Sequence, residues 1–227
     1  MASQRPVSAF DIIGPIMVGP SSSHTAGAVR LGQVGRAVLG VQPEEALVEL
    51  HGSFAHTGRG HGTDRALVAG LLGLATDDDR IRISPELAAE AGMTVRFREV
   101  ELGGDVHPNT VRMTLTTHDR TAEVEGASIG GGMIIVTRIQ GYSVHFTGEH
   151  EALIVVAEDR PGTINAVTGL LLEHRVNVAF SRVERKQRGG EAIMIFETDD
   201  PIPDEIVEAI HDFYWVRWAR HVPKVTG

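Results

Sequence analysis

Three consecutive serines precede a histidine in the segment Gly-Pro-Ser-Ser-Ser-His-Thr at residues 19–25. Ser21, Ser22 and Ser23 would stand at the start of a predicted helix, where backbone N–H groups have no intrahelical partner. Hydroxyls beside such N–H groups form a site for a carboxylate or a phosphate. His24 adds a group that titrates near neutral pH. The alternative is that the serines only cap the helix and that the histidine is solvated.

A second histidine lies in the glycine-rich segment Thr-Gly-Arg-Gly-His-Gly-Thr-Asp at residues 57–64, which we expect to be a loop before a helix. His61 stands three residues before Asp64, and a carboxylate beside an imidazole can orient it as a proton acceptor. The alternative is a mobile loop in which Asp64 only complements the helix dipole. A third polar cluster, His-Pro-Asn-Thr at 107–110, contains Asn109 and is by itself typical of a turn.

Metal chemistry within this chain is not favoured by the spacing of its histidines. His51, His56 and His61 recur every five residues, which places them on neither one helix face nor one strand face. No His-Glu-x-x-His motif is present, and we expect no zinc site. The sequence contains no cysteine, which excludes disulfides and any cysteine-ligated metal held by this chain alone.

Composition places the chain among ordinary globular proteins, with 227 residues, 42% hydrophobic and 22% charged. That length is enough for two modest domains. The formal net charge of −9 argues against a nucleic-acid partner, which requires clustered Lys and Arg. No apolar run approaches the roughly 20 residues of a membrane span, and the first residues lack a signal-peptide layout. We therefore expect a cytoplasmic protein that neither spans a membrane nor binds nucleic acid.

Elements that would position these residues follow from the hydrophobic patterns. In the first two thirds the patterns predict helices at 23–39, 63–74 and 85–91, and strands at 47–50, 94–98, 111–116, 122–125, 134–139 and 142–146. After the polar segment 147–151 they predict strands at 152–157, 176–184, 191–198 and 214–222, and helices at 163–175 and 203–212. The second series is β-α-β-β-α-β, the order of a ferredoxin-like domain. We place the domains at 1–149 and 150–227.

Four segments of the first domain resemble the β chain of the iron–sulfur-dependent L-serine dehydratases. They are residues 10–28, which contain the serine–histidine segment, together with 60–64, 107–110 and the Ser-Ile-Gly-Gly-Gly segment at 128–132. The resemblance implies an α/β (α+β) fold in which the first domain is similar to the allosteric substrate-binding domain of some D-3-phosphoglycerate dehydrogenases. It covers nearly the whole chain.

This resemblance also implies a division of labour between two chains. A separate α chain carries the cysteines of a [4Fe–4S] cluster, whose open iron acts on the substrate hydroxyl, and L-serine is converted to pyruvate and ammonia. The residues expected to bind the substrate are Ser21, Ser22, Ser23, Thr25 and Asn109. The base is His24 or His61, and we favour His61 because Asp64 could orient it.

Residues 153–198 resemble an ACT domain, the amino-acid-sensing module. Such modules bind a small amino acid at a subunit interface, and here Asp159, Gly162 and Asn177 are the expected ligand residues, with L-serine as the ligand. The resemblance also implies that ACT domains of two copies associate, although such domains can pair subunits without binding a ligand. An amino-acid-binding regulator with no catalytic role is the alternative function.

Overall fold

A computed structural model describes residues 16–19 and 21–225 of the chain. Within that part, the helices are α1 Ala26–Leu39, α2 Gly52–His61, α3 Thr63–Leu72, α4 Ser84–Glu90, α5 Thr163–Glu173 and α6 Asp204–His211, with a 3-10 helix at Asp79–Ile83. The strands are β1 Glu45–His51, β2 Thr94–Val100, β3 Thr110–Thr116, β4 Thr121–Gly130, β5 Met133–Ile139, β6 Tyr142–Phe146, β7 Glu151–Glu158, β8 Val178–Arg185, β9 Glu191–Thr198 and β10 Val216–Val222. No helix in the described part is long and apolar enough to cross a membrane.

The first sheet contains six strands in the order β2-β1-β3-β4-β5-β6. β1 and β2 run parallel, and the remaining neighbours are antiparallel. Helices α1 and α3 cover one face, because alternate strand residues such as Val48 and Met113 are apolar and meet Leu31 and Leu67 in one fully buried core. This packing fixes the start of α1 relative to the ends of the central strands.

Helices α1 and α3 approach each other closely, and two glycines permit it. A Cβ on Gly32 would stand 2.5 Å from the carbonyl oxygen of Leu67, and one on Gly70 would overlap the carbonyl oxygen of Val29. Glycine costs a helix roughly 1 kcal/mol relative to alanine. The short distance between the helix axes therefore explains why glycine occupies these two helical positions, although glycine has a low helix propensity.

The opposite face of the first sheet carries a ladder of charges across five strands. Arg98, Glu49, Arg112, Glu125 and Arg138 are successive cross-strand partners on β2, β1, β3, β4 and β5. Arg98 pairs with Glu49, while Arg112 Nη2 lies 2.9 Å from Glu125 Oε2. The two glutamates are buried, and a buried carboxylate requires a compensating charge. The arginines on either side of each glutamate supply it.

The second sheet contains four antiparallel strands in the order β10-β7-β9-β8. Helices α5 and α6 cover one face, where Leu153 and Phe196 are buried. On the other face Ile154, Ile193 and Ile195 belong to the same core as the first sheet. The two domains are therefore joined by shared apolar packing, and the ferredoxin-like β-α-β-β-α-β order predicted from the sequence is confirmed.

The main error of the sequence prediction concerns residues 52–61, which form helix α2 and not part of a loop. The glycine and β-branched residues of this segment have low intrinsic helix propensity, so the sequence does not predict the helix. Tertiary packing compensates, since Phe54 is fully buried and Gly58 lies against Thr63. Thr63 does not cap α3: Gly62, with φ 73°, occupies that position. The 3-10 helix was also missed. The boundary at 149/150 stays a prediction, between the end of β6 and the start of β7.

Candidate active site

The serine–histidine segment forms a turn that leads into α1, which begins at Ala26 and not at residue 23. The carbonyl of Ser21 accepts the Thr25 N–H at 2.8 Å, and the carbonyl of Ser22 accepts the Gly27 N–H at 3.0 Å. No described group bonds to the side-chain hydroxyls of Ser22 and Ser23. Within the described part of the chain these two serines therefore do not show the capping bonds of the alternative interpretation, and their hydroxyls are available to a ligand. Pro20 and residues 10–15, which belong to the predicted motif, lie outside the described residues.

His24 stands at the centre of a group of hydroxyls. Its Nδ1 lies 3.3 Å from Ser21 Oγ, and its Nε2 lies 3.1 Å from Thr57 Oγ1 and 3.3 Å from Ser53 Oγ. The edge of the Phe54 ring packs against the imidazole with 5.4 Å between the centroids. The sequence prediction missed Ser53 and Thr57 because it assigned no element to residue 53 and a loop to residues 57–64. In a helix, the four-residue spacing puts both side chains on one face.

The hydrogen bonds around His24 select one tautomer. Thr57 Oγ1 donates to the Ser53 carbonyl at 2.9 Å, so it can only accept from His24 Nε2. His24 therefore carries its proton on Nε2 and leaves Nδ1 as the acceptor for the Ser21 hydroxyl. Both ring nitrogens of His24 are engaged by the protein, which suits a positioning group.

His61 lies one turn further along the same face of α2, next to His24. The ring centroids are 5.0 Å apart with 37° between the planes. His61 Nδ1 lies 3.1 Å from the carbonyl oxygen of Thr57, which can only accept, so Nδ1 carries the proton. The exposed Nε2 then has a free lone pair and no partner among the described residues. Such a nitrogen can accept a proton.

Burial lowers the pKa of His24, and the neighbouring His61 lowers it further, whereas an interaction with the Ser53 backbone acts in the opposite direction. The direction follows from two causes that both disfavour the imidazolium: partial loss of solvent and the proximity of a second imidazole that would repel its charge. The lowered pKa favours the neutral form of His24, as its place between hydroxyls requires.

Asp64 does not orient His61, contrary to the sequence expectation. Among the described residues no hydrogen bond or ion pair joins the two, and the Thr57 carbonyl occupies the imidazole N–H instead. Asp64 lines a cavity of about 180 Å³ with Ala55 and Phe97, which lies beside the face of α2 that carries Ala55. Its Oδ1 is buried there without a partner in the described part of the chain. His61 ends α2 while Asp64 belongs to α3, an arrangement that could not be foreseen for a loop.

The segment at 107–110 connects α2 to strand β4. The Pro108 carbonyl accepts the Phe54 N–H at 3.3 Å, and the Asn109 backbone carbonyl accepts the Ser128 N–H at 3.1 Å. The side-chain amide of Asn109 donates to the Ser128 carbonyl at 3.4 Å. Asn109 is thus brought to the site with its amide N–H bound to backbone. The hydroxyl of Thr25 is buried and lacks a partner among the described residues.

Arg30 is a site residue that the sequence analysis missed. It is 5% exposed, and its Nη1 donates to the carbonyl of Gly132 at 2.6 Å. In the preceding turn of α1, Gly27 has no room for a Cβ because Ser128 lies against it. Arg30 and Gly27 together hold the end of β4 and its glycine turn against the start of α1. The Gly-Gly-Gly run was the available signal for this close approach.

Within the described residues, no cluster of three or more His, Asp or Glu side chains could hold a metal ion. The histidines His24 and His61 instead face hydroxyls and a carbonyl. The side chains of these two histidines can themselves take part in hydrogen bonding and proton transfer.

The residues expected to bind a regulatory ligand do not form one site in a single chain. Asp159 Oδ2 accepts from Arg185 Nη1 at 2.9 Å and from the Gly189 N–H at 3.0 Å, which lowers its pKa. Gly162, with φ 94°, precedes α5. Asn177 bonds weakly to Asp199 at the other end of β9, and the sheet between them is about 24 Å long.

Two family models match this chain. The serine dehydratase beta chain model matches residues 8–138, and the ACT domain model matches residues 152–213. The first range extends into β5 of the first sheet, and the second runs from β7 to just after α6 of the second domain.

Curated relatives match over most of the length. The chain is 44% identical over 203 residues to a probable L-serine dehydratase beta chain of Bacillus subtilis, covering 89% of this chain and 92% of that protein. It is 40% identical over 204 residues to the L-serine dehydratase beta chain of Peptoniphilus asaccharolyticus, with the same coverage. A D-3-phosphoglycerate dehydrogenase of Methanocaldococcus jannaschii is 33% identical over 46% of this chain and 20% of its own length. The chain belongs to the serine dehydratase beta chain family and carries an ACT domain at its C-terminal end.

Proposed function

We propose that this chain is the β subunit of an L-serine dehydratase, which converts L-serine to pyruvate and ammonia when paired with an α chain. Two relatives named as beta chains of that enzyme match 89% of the sequence, and this observation carries the proposal. A regulator without catalytic role is less favoured, because the phosphoglycerate dehydrogenase relative matches only 46% of the chain.

The reaction requires that the serine carboxylate be held and that its α-proton meet a base. The free hydroxyls of Ser22 and Ser23 precede α1, where a carboxylate is favoured by the positive end of the helix dipole. The free Nε2 of His61 is the nearest unengaged imidazole nitrogen to that turn, since both nitrogens of His24 are bonded. We assign proton abstraction to His61, oriented by the Thr57 carbonyl, and positioning to His24.

The cofactor implied by the family does not fit the residues of this chain. Iron–sulfur clusters are held by cysteine thiolates, and the sequence has no cysteine. We therefore assign the [4Fe–4S] cluster to the α chain, where it would supply the Lewis acid for the departing hydroxyl. The contribution of the β chain is limited to binding the substrate and moving its proton. A cytoplasmic location stays a prediction.

Anaerobic reconstitution tests this function directly. The chain alone is expected to be inactive with L-serine, and addition of the cluster-bearing α chain is expected to give pyruvate, measured by coupled reduction with lactate dehydrogenase. The α chain alone is the matched control. Full activity of the α chain without this subunit, or inactivity of every reconstituted pair, would reject the proposal.

Association through the ACT domain is the second part of the proposal. Strand β8 is an edge of the second sheet and exposes Phe180 and Val183. If two copies pair these edges antiparallel, Asn177 of one copy approaches the Asp159 end of the other, and the separated ligand residues meet. L-Serine is the expected ligand at that joint site.

Sedimentation of the full chain tests this pairing. Wild type is expected to be dimeric, and Phe180→Glu is expected to shift it towards monomer because a charge would be buried in the joint. Glu184→Gln, on the same exposed strand, is the control that should leave the dimer intact. A wild-type chain that is monomeric both in the absence and in the presence of L-serine would contradict the pairing.

A further inference from the structure

A cavity of about 550 Å³ lies at the junction of the two domains, on the side away from the candidate active site. The first domain contributes Arg36, Gly40 and Val41 from the end of α1 and beyond, and the second contributes Lys224 and Val225 from the segment after β10. The volume is within the range that small-molecule sites occupy. Neither the candidate active site nor the ACT ligand residues use this cavity.

Arg36, a half-buried arginine in the lining, has only neutral partners. Its Nη1 donates to the carbonyl of Leu71 at 3.0 Å and to the amide oxygen of Gln42 at 2.8 Å. No carboxylate of the described chain pairs with it. Burial lowers the pKa of its guanidinium group, which nevertheless stays charged. A cation removed from water is ordinarily compensated by an anion, and none is supplied here by the described residues.

Two further cations face the same junction. Arg220 packs so closely on Gly40 that a Cβ there would stand 2.5 Å from its Nε, an atom that is buried without a partner among the described residues. Lys224 is exposed, and no described group pairs with its ammonium. The carboxylate of Glu151 is not free to help, because it lies 2.6 Å from His221 Nε2.

The ends of two helices limit how much negative charge the cavity favours. Gly40 caps the C-terminus of α1, and Gly73, which also lines the cavity, caps that of α3. Helix C-termini carry a partial negative charge of about half an electron each. They oppose a dianion such as phosphate more strongly than a monoanion, and their carbonyls can accept from an ammonium group. Val41 and Val225 add an apolar wall for a short carbon chain.

We propose that this junction cavity binds a small monocarboxylate, an α-amino acid or a keto acid, through Arg36 and Lys224. The ligand contacts both domains and therefore stabilises their packing. Helix α1 extends the effect, since its 14 residues span about 21 Å from the turn that contains His24 to the cavity. A site at this joint is thus placed to report the concentration of a carboxylate to the start of α1.

Nuclear magnetic resonance titration of the full chain tests the proposal. The probes are pyruvate and L-serine, with L-serinamide, which lacks the carboxylate, and inorganic phosphate as comparisons. We expect pyruvate or L-serine to shift the amide signals of Gly40, Gly73 and Val225, and L-serinamide to leave them unchanged. Binding is measured on this chain without an α chain or turnover, so the result does not depend on the proposed function.

Three variants locate the binding. Lys224→Ala is expected to weaken carboxylate binding about tenfold, as loss of one charge-assisted hydrogen bond does. Val41→Trp is expected to abolish it by filling the cavity, while Asn177→Ala, in the ACT ligand set, is expected to leave these three signals responsive. The proposal is overturned if neither carboxylate shifts them below about 10 mM. It is also overturned if phosphate binds more tightly than both, or if Lys224→Ala and Val41→Trp respond like wild type.

Discussion

At the residue scale, His24 and His61 differ in the hydrogen-bond partners of their ring nitrogens, and this difference suggests different roles. A carbonyl takes the N–H of His61 and leaves its Nε2 bare, whereas hydroxyls engage both nitrogens of His24. The sequence identified both histidines and the serines, because their residue types alone suggest chemistry. It could not identify the Thr57 carbonyl as the orienting group, because a backbone atom has no sequence signature.

The lowered pKa of His24 gives a direct test of this arrangement. We expect proton NMR to show His24 titrating below its ordinary value of 6.5 in the full chain. In His61→Asn the pKa should rise, because one of the two causes is removed, yet burial should keep it below 6.5. A value above 6.5 in wild type, or no change in His61→Asn, would contradict the pairing of the two rings.

At the element scale, most strands and the C-terminal helices were predictable because their apolar residues alternate or recur with clear periods. Helix α2 was not, since Gly52, Ser53, Thr57, Gly58 and Gly60 are all poor or middling helix formers. Its stability comes from contacts that lie far away in sequence, such as the buried Phe54. Local propensity does not predict a helix that is stabilised mainly by tertiary packing. Here that helix contains three residues of the candidate site.

Because α1 and α3 approach closely, replacing glycine with alanine should change stability in opposite directions at Gly70 and at Gly169. Gly70→Ala should destabilise the chain by about 1–3 kcal/mol, because its Cβ would overlap the Val29 carbonyl and push the helices apart. Gly169→Ala, within α5, should instead stabilise by about 0.5–1 kcal/mol, because no described atom beyond the adjoining helix backbone stands within 4 Å of the place its Cβ would take. Urea unfolding measures both. Equal effects of the two substitutions would mean that the helices are not in contact at Gly70.

At the scale of the whole molecule, a shared core makes the two domains interdependent. Sequence patterning predicted two series of elements but gave no sign that one face of the second sheet packs on the first domain. In the sequence the only sign of that face is that some strands are continuously apolar. Residues Ala152–Ala157 of β7 are an example, and they are buried on both sides of the sheet.

Loss of packing at this shared core should affect both domains. Ile195, 2% exposed, belongs to the core that contains the first sheet, and Ile195→Ala should cost about 2–5 kcal/mol. Hydrogen exchange should then lose protection in α1 and β3 as well as in β7 and β9. Leu172→Ala, at an exposed position of α5, is the control and should change stability by less than about 0.5 kcal/mol. Deprotection confined to the second domain would show that the domains unfold separately.

The most direct test of the account compares two substitutions in the reconstituted enzyme, His61→Asn and Asp64→Asn. If His61 removes the α-proton, His61→Asn should lower kcat for L-serine by about 10²–10⁴-fold while the α chain still binds. Asp64→Asn should change kcat by less than about threefold, because Asp64 does not contact His61. Wild-type activity in His61→Asn, or an equal loss in both variants, would contradict the assignment.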